Sequence, residues 1–212
     1  MIVAIDGPAA AGKGTLARRL AKELGLAYLD TGLLYRAVGF AVLAAGADPE
    51  DPEAAVRAAK ALKPETLGNP ELRTDTVANA ASKVSAIPGV RAELLEFQRN
   101  FAKNPPAGSS GAVLDGRDIG TVVCPGAEAK LFVTASPEVR AERRLKELQD
   151  RGLAAIYARV LQDMKERDAR DSARAVSPLE PAKDAFVLDT SDLDAEAVFA
   201  RARDFIAKQG KI

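Results

Sequence analysis

A lysine preceded by two spaced glycines lies close to the start of the chain. Gly7 and Gly12 are separated by four residues, and Lys13 follows directly, where a helix-period stretch begins. A glycine-rich turn of this kind lets backbone N–H groups point at a polyphosphate, beside the positive end of the next helix. The lysine then reaches the phosphates between which charge shifts during transfer. The spacing predicts a phosphate-binding loop, with nucleotide contacts from Gly7, Pro8, Ala9, Ala10, Ala11, Gly12, Lys13, Gly14 and Thr15.

The position after Lys13 departs from the usual form of such loops. That form has Ser or Thr there, and its hydroxyl binds Mg²⁺, whereas this chain has Gly14 and only then Thr15. We therefore expect Mg²⁺ to be held mostly by phosphate oxygens and water. Thr15 and Asp115 are the candidate protein ligands, and neither is assigned as a direct one. Binding of phosphate and packing of the helix are the other roles open to Thr15.

A second chemical motif follows the short apolar run at residues 112–114. Asp115 ends this predicted strand, and Arg117 and Asp118 follow across a glycine turn. Ligands bind at the carboxyl ends of strands in open α/β folds, and an aspartate at that place lies beside the loop lysine and magnesium. A simple polar turn is the competing interpretation. We predict Lys13, Asp115 and Arg117 as the catalytic residues.

Alternating strands and helices position these motifs. The apolar, β-branched run at residues 2–5 is too short for a helix and predicts a buried parallel strand. Together the strands predict an α/β fold with a parallel five-stranded sheet flanked by helices. Further strands are predicted at residues 26–29, 112–115, 130–135 and 185–188, and helices at 15–24, 31–45, 52–62, 90–104, 136–152, 154–171 and 193–208. Ser136 is the predicted cap of the helix at 136–152, and Asp30 or Thr31 is that of the helix at 31–45.

The middle of the chain has a different character from its two ends. Residues 46–110 are rich in proline and glycine, with short helical pieces and a possible strand at 72–77. We interpret them as an insertion in a core formed by residues 1–45 and 111–212. The helix that begins after Ser136 carries several arginines and is followed by Gly152 as a possible hinge. A lid over residues 136–152 is one interpretation of this helix, and a solvated basic face is the other.

Composition narrows the class of protein. The 30 basic and 30 acidic residues give no net charge, and aromatic residues make up 5%, which argues against a nucleic-acid-binding module. One cysteine allows no internal disulfide, and the absence of histidine excludes histidine-based triads, metal sites and acid–base catalysis. No apolar run is long enough to cross a membrane, and no leader precedes the first strand. We expect a cytoplasmic location.

Several strings along nearly the whole chain resemble bacterial cytidylate kinases, which are P-loop nucleoside monophosphate kinases. The phosphate loop has the Gly-Lys-Gly-Thr form of such kinases, and the Asp-Gly-Arg-Asp string is matched completely. Without the resemblance, Ser82 and Arg91 would be interpreted as ordinary surface residues. The arginines near Asp171 would be interpreted as part of a salt-bridged helix end. The other similar segments are residues 30–36, 77–101, 167–174 and 178–182.

The resemblance implies ATP-dependent phosphorylation of CMP and dCMP with Mg²⁺, by a protein whose insertion binds the nucleoside monophosphate. Its partners would be small nucleotides, with no nucleic acid or membrane, and we expect a monomer. The family's contacts to the acceptor nucleotide, carried over by motif, fall on Thr31, Arg36, Ser82, Arg91, Arg117, Asp118, Arg167, Asp171 and Arg174. Among these, Ser82, Arg91 and Asp118 would read the base, and Arg167 and Asp171 the ribose. Arg143 would reach ATP from the lid.

Other functions remain open on the residues alone. A UMP/CMP, adenylate or shikimate kinase would share the phosphate loop and the fold, although the long insertion with Ser82 and Arg91 favours the cytidylate type. A nucleotide-dependent switch would need a guanine-reading Asn-Lys-x-Asp string, and the sequence has none.

Overall fold

The structure is a computed structural model that describes residues 1–209. Its centre is a five-stranded parallel sheet with the strand order β2-β3-β1-β4-β5. The prediction of a parallel five-stranded α/β fold is therefore confirmed. The strands are β1 (Ile2–Asp6), β2 (Ala27–Asp30), β3 (Ala112–Asp115), β4 (Ala129–Thr134) and β5 (Phe186–Asp189).

Helices cover the sheet and form the part of the protein that lies beyond it. They are α1 (Lys13–Leu24), α2 (Thr31–Ala44), α3 (Pro52–Lys60), α4 (Asp75–Val84), α5 (Pro88–Lys103), α6 (Pro137–Asp150), α7 (Tyr157–Ser172) and α8 (Ala195–Lys208). None of these helices, within residues 1–209, combines the length and the apolar character needed to cross a bilayer.

The strand β1 is central because its side chains are buried on both faces of the sheet. Val3 and Ile5 pack with α1 and α8 on one face, and Ala4 packs with β3 and the end of α5 on the other. This explains the continuous apolar run, since a parallel strand covered on both sides needs no polar face. Both motifs that carry chemistry leave the sheet at its carboxyl edge, from β1 and from its neighbour β3.

Residues 46–110 pack against α2 rather than forming a separate core. Buried residues of α3, α4 and α5 share one apolar cluster with Leu34 and Val38 of α2. The predicted strand at residues 72–77 is wrong. A 3-10 helix at Pro70–Arg73 leads into α4, whose first turn is capped because the Thr74 hydroxyl accepts a hydrogen bond from the Val77 N–H at 3.4 Å.

The two predicted helix caps, Ser136 for α6 and Asp30 or Thr31 for α2, have different outcomes in the structure. Ser136 caps α6 as predicted, with its hydroxyl 3.3 Å from the Val139 N–H. Asp30 occupies the capping position of α2 but makes no side-chain capping bond. The Thr31 hydroxyl donates to the Asp115 carbonyl at 2.7 Å, which ties the start of α2 to the end of β3. The prediction that either residue caps α2 through its side chain is therefore wrong.

Candidate active site

A cavity of about 750 Å³ opens at the carboxyl edge of the sheet. Its walls are the loop between β1 and α1, the ends of β2 and β3, the insertion helix α4, and the helices α6 and α7. Cavities of this size hold small-molecule ligands. Many predicted site residues line it, namely Ala9, Ala10, Lys13, Gly14, Arg36, Asp115, Arg117 and Arg167.

The loop after β1 has the backbone of a tight anion-binding turn. Gly7 has φ of 140°, and a Cβ there would lie 1.9 Å from the Val133 carbonyl oxygen of β4, so only glycine fits. Ala10 and Gly12 also have positive φ, at 58° and 90°. The chain curls back far enough for the Lys13 Nζ to donate to the Pro8 carbonyl at 2.7 Å.

Lys13 and Asp115 are two buried, opposite charges at the centre of the site. Burial, together with the positive charge of Arg117, lowers the pKa of Lys13 to about 7. Burial and the neighbouring carboxylate of Asp30 raise the pKa of Asp115 to about 6. Asp30 and Asp115 face one another in register at the ends of β2 and β3. The site therefore places a weakly charged lysine beside a pair of carboxylates.

Gly14, which follows the loop lysine, lies beside Asp115 and Tyr28. A Cβ at that position would lie 3.3 Å from Asp115 Oδ2 and 3.6 Å from the Tyr28 hydroxyl. That hydroxyl donates to the same Asp115 oxygen at 2.9 Å. A side chain at position 14 would therefore begin in close contact with Asp115 and in ordinary contact with Tyr28. The next residue, Thr15, is exposed.

The acceptor residues predicted from the resemblance form a buried network of charges. Arg91 pairs with Asp118 at 2.6 Å, and both side chains are less than a tenth exposed. On α7, Asp171 pairs with Arg117 at 3.0 Å and also with Arg174. The structure brings together two segments, residues 82–91 and 167–174, which come from opposite sides of the cavity.

Ser82 and Arg36 are held at the edge of this network. The Ser82 hydroxyl accepts a hydrogen bond from Arg170 Nε at 3.3 Å, which links α4 to α7. Arg36 donates to the Leu72 carbonyl at 2.7 Å, so the 3-10 helix before α4 orients its guanidinium at the wall of the cavity. Arg36 and Thr31 are both on α2, one turn apart.

Arg167 is a guanidinium without a partner among residues 1–209. It lines the cavity, and its buried Nε has no hydrogen bond. Burial and the nearby charge of Arg117 lower its pKa to about 10. Arg167 is half-buried, and Asp171 offsets part of the repulsion from the other cations. A partly desolvated cation beside other cations is stabilised when an anion joins it. The arrangement around Arg167 is therefore suited to binding an anion.

The arginines of α6 divide between two places. Arg143 donates to the Thr190 hydroxyl at 2.9 Å and to the Thr190 carbonyl at 2.7 Å, so it lies against the loop after β5. Arg144 lines the cavity and pairs with Asp75 of α4. Contact between Arg143 and ATP stays a prediction, and the structure adds Arg144 as the α6 arginine at the cavity.

Four further residues of the site were not predicted from the sequence, and two of them, Asp30 and Arg170, line the cavity. Asp6, Tyr28 and Asp30 end or lie within strands, and Arg170 follows Arg167 by three positions on α7. A polar residue at the carboxyl end of a predicted buried strand is a usable signal, and it would have found Asp6 and Asp30. Nothing in the local sequence marks Tyr28, because its role depends on β3 lying beside β2.

Comparison with known proteins places the chain in a family. A family model described as Cytidylate kinase matches residues 3–208. The chain belongs to the cytidylate kinase family. The cytidylate kinase of Paramagnetospirillum magneticum is 67% identical over 98% of both chains, and that of Rhodospirillum rubrum is 63% identical over 100% of this chain and 99% of that protein. The resemblance stated from the sequence is confirmed, as is the prediction of a phosphate-transferring kinase.

Solved structures of distant proteins share the fold. An uncharacterized protein of Eubacterium ventriosum superposes with a TM-score of 0.58 at 13% identity, covering 98% of each chain. A protein of Thermus thermophilus superposes with a TM-score of 0.50 at 18% identity, covering 100% of this chain and 98% of that one. At such low identity these similarities bear on the fold alone.

Proposed function

We propose that the protein transfers the γ-phosphoryl group of ATP to CMP and dCMP. The observation that carries this proposal is one continuous cavity with two different ends. At one end lies the anion-binding loop with Lys13, and at the other lie the insertion helix α4 and Arg167. The buried pair of Arg91 and Asp118 adjoins this second end through Arg117, which lines the cavity and directly precedes Asp118. Membership in the cytidylate kinase family supports cytosine as the base.

The donor phosphates would lie on the loop between β1 and α1. Backbone N–H groups of residues 7–15 and the N-terminus of α1 would supply fixed positive dipoles. Lys13 would supply a positive charge, and binding of a phosphate would raise its lowered pKa. Arg143 is proposed to contact ATP from α6, close to the loop after β5.

Mg²⁺ fits the carboxylates at the ends of β2 and β3. Carboxylate oxygens are the ligands that this ion prefers, and Asp30 and Asp115 face one another in register. Burial and the carboxylate of Asp30 together raise the pKa of Asp115. Asp115 would hold the ion directly or through water, in preference to the exposed Thr15. When bound, the ion would neutralise charge on the phosphate oxygens.

The acceptor would occupy the side of the cavity that faces the insertion. Arg36, Arg117 and Arg167 converge there as cations for its phosphate, in addition to the ribose role implied for Arg167. Asp118 would accept a hydrogen bond from the pyrimidine, and Arg91 would donate one to it. Ser82 would lie beside them. Asp171, already bound by Arg117 and Arg174, is proposed to hold the ribose together with Thr31 nearby.

Positioning and charge would account for catalysis in this site. An oxygen of the acceptor phosphate forms a bond to the γ-phosphorus, and the bond from that phosphorus to the β-bridging oxygen breaks. The acceptor phosphate is already ionised near neutral pH, so no general base is required and the lack of histidine is no obstacle. Lys13 and Arg117 would stabilise the charge that moves between the two phosphates.

Two regions would move around this chemistry. We propose residues 46–110 as the acceptor-binding insertion, with residues 1–45 and 111–212 as the core, and residues 136–152 as a lid that excludes water. Gly152 has φ of 73°, which suits a hinge at the end of the lid. Every proposed contact comes from one chain, so the protein would act as a monomer.

The decisive experiment measures ADP release from Mg-ATP with CMP, dCMP, UMP, AMP, GMP or shikimate as the acceptor. We expect turnover with CMP and dCMP to exceed all others by at least about a hundredfold in kcat/KM, because a site built to pair with a polar base edge rejects bases that leave it unpaired. Preferred turnover of another acceptor would overturn the assignment of the base site. Absence of stimulation by every acceptor would overturn the proposed function.

A further inference from the structure

Asp6 is a buried carboxylate that none of the roles above uses. It ends β1, its side chain is almost fully enclosed, and it lies one residue before the phosphate-binding loop. Its Oδ1 accepts the Ile119 N–H at 2.8 Å, and its Oδ2 accepts the Gly120 N–H at 2.7 Å. These are its hydrogen bonds within residues 1–209, and they cross 113 and 114 positions of sequence.

The two N–H groups belong to a short π-helix at Ile119–Val123, which begins directly after Asp118. The N-terminus of such a turn has free N–H groups, and the Asp6 carboxylate satisfies two of them. Asp118 itself pairs with Arg91 at 2.6 Å. One carboxylate therefore connects the start of the phosphate loop to the segment that carries the Asp118–Arg91 pair.

We propose that Asp6 is a positioning residue for acceptor recognition, which fixes the Asp118 segment relative to the phosphate loop. This inference rests on the proposed function, because it assumes that Asp118 and Arg91 hold the acceptor base. Asp6 contacts neither nucleotide in this arrangement. Its effect passes through two backbone hydrogen bonds, so it should change how the acceptor binds far more than how ATP binds.

The chemistry of the contact requires a carboxylate. Each of its oxygens accepts one N–H, whereas the amide of asparagine has one accepting oxygen and one donating NH₂ group. With asparagine, either Ile119 or Gly120 would face a donor and lose its partner in a buried place. Asp6 is only 3% exposed, so little water reaches the group. An unpaired N–H here would shift the segment rather than find a water molecule.

The test is a kinetic comparison of the Asp6→Asn variant with the unaltered protein. We expect KM for CMP to rise about tenfold and the preference for CMP over UMP to fall, with KM for ATP changed less than about twofold, from the loss of one buried hydrogen bond. Asp118→Asn should give the same pattern. The double variant should be little worse than either single one, because both changes disturb one segment. The exposed Asp192→Asn serves as the matched control.

A second variant keeps the proposal open to refutation if Asp6→Asn folds poorly. In Gly120→Ala the new Cβ would lie 3.4 Å from Asp6 Oδ2 and 3.2 Å from the flexible Lys130 Cδ, so it crowds the contact but leaves the carboxylate in place. We expect a smaller rise in KM for CMP, again with KM for ATP nearly unchanged. Equal rises in both KM values, or full additivity of Asp6→Asn with Asp118→Asn, would overturn the proposal. Failure of the unaltered protein to phosphorylate CMP would instead overturn the proposed function.

Discussion

At the scale of single residues, Lys13 shows how the fold prepares a site for a charged ligand. Its ammonium group is buried, and its one hydrogen bond within the described chain goes to a backbone carbonyl. Burial and Arg117 lower its pKa to about 7, so the charged form is stabilised too little when no anion is near. A polyphosphate would supply the missing negative charge and raise the pKa again.

This predicts that nucleotide binding takes up a proton. At about pH 8 most of the ligand-free protein has neutral Lys13, and binding of Mg-ATP would restore the charge, with uptake approaching one proton. At about pH 6 the lysine is already protonated, so its contribution should vanish. Isothermal calorimetry in buffers of different ionisation enthalpy measures the uptake directly.

The matched variant for this measurement is Lys13→Arg, which carries a charge at every accessible pH. Proton uptake at about pH 8 should disappear in this variant even if its affinity for ATP is lower. Undiminished uptake by Lys13→Arg would assign the proton to another group. Asp115 would not be that group, because its pKa, raised by burial and by Asp30 to about 6, leaves it ionised at about pH 8.

Lys13, Asp115 and Arg117 could be predicted from residue spacing, because each lies in a short sequence motif whose backbone conformation is known. The same strings say nothing about Tyr28, which donates to Asp115 across 87 positions of sequence. The structure also places that hydroxyl and Asp115 beside Gly14, a set of neighbours that the local sequence does not show. Local sequence thus identifies a loop, while the side chains that tune it depend on which strands are neighbours.

At the scale of elements, α6 makes a contact that bears on closure of the site. From α6, Arg144 pairs with Asp75 at the start of α4, and Arg151, the residue after its end, donates to the Arg73 carbonyl at 3.1 Å. Glu147 of the same helix pairs with both arginines and so holds them side by side. These contacts join the proposed lid to the proposed insertion across the mouth of the cavity.

We predict that Asp75→Asn weakens this closed arrangement. Asp75 is partly exposed, so the loss should be small, on the order of a two- to fivefold change. Release of ADP from Mg-ATP in the absence of any acceptor should rise relative to transfer to CMP, because an open site admits water. The ratio of the two rates is the measurement, taken at low ionic strength, where exposed ion pairs are strongest.

The control is Glu196→Gln, which breaks an exposed ion pair with Arg19 at 2.6 Å, remote from the cavity. Its ratio of hydrolysis to transfer should match that of the unaltered protein. If both variants change the ratio of hydrolysis to transfer equally, the altered net charge accounts for the effect. The contact between α6 and α4 then has no part in closing the site.

Strands and helices were predicted well where the hydrophobic pattern was strong. They were predicted poorly where a capping residue decided whether a helix forms. All five strands lie within two residues of their predicted bounds, because buried parallel strands leave short apolar runs. The stretch at residues 72–77 has three β-branched residues, as strands often do, yet Thr74 ends a 3-10 helix and starts α4. The sequence alone does not show whether Thr74 caps a helix or belongs to a strand, because that choice depends on the tertiary contacts of the buried Leu72.

At the scale of the whole molecule, one cavity joins the phosphate loop to the insertion. Its volume of about 750 Å³ is in the upper part of the range for ligand pockets, and no element divides the two ends. The pairing of both ends in one space depends on the strand order, which places β3 directly beside β1. Sequence predicted five parallel strands but not which of them are neighbours, since nothing local encodes their order.

A single cavity predicts that a linked ligand outperforms its parts. An adenosine and a cytidine joined by five phosphates should raise the melting temperature more than saturating ATP and CMP together, because one binding event replaces two. Thermal unfolding monitored by calorimetry gives the comparison, with the adenosine–guanosine analogue as the control for base recognition. A linked ligand no better than ATP alone would mean that the two ends cannot be occupied at once.

The close approach of Gly7 to the Val133 carbonyl has a consequence for synthesis of the protein on the ribosome. The phosphate loop is translated before both strands that flank β1, which are Ala112–Asp115 and Ala129–Thr134. A nascent chain that ends before the second of these lacks the backbone against which Gly7 packs. The phosphate loop is therefore made well before it can acquire its shape, and the ribosome carries it unformed until β4 has been added.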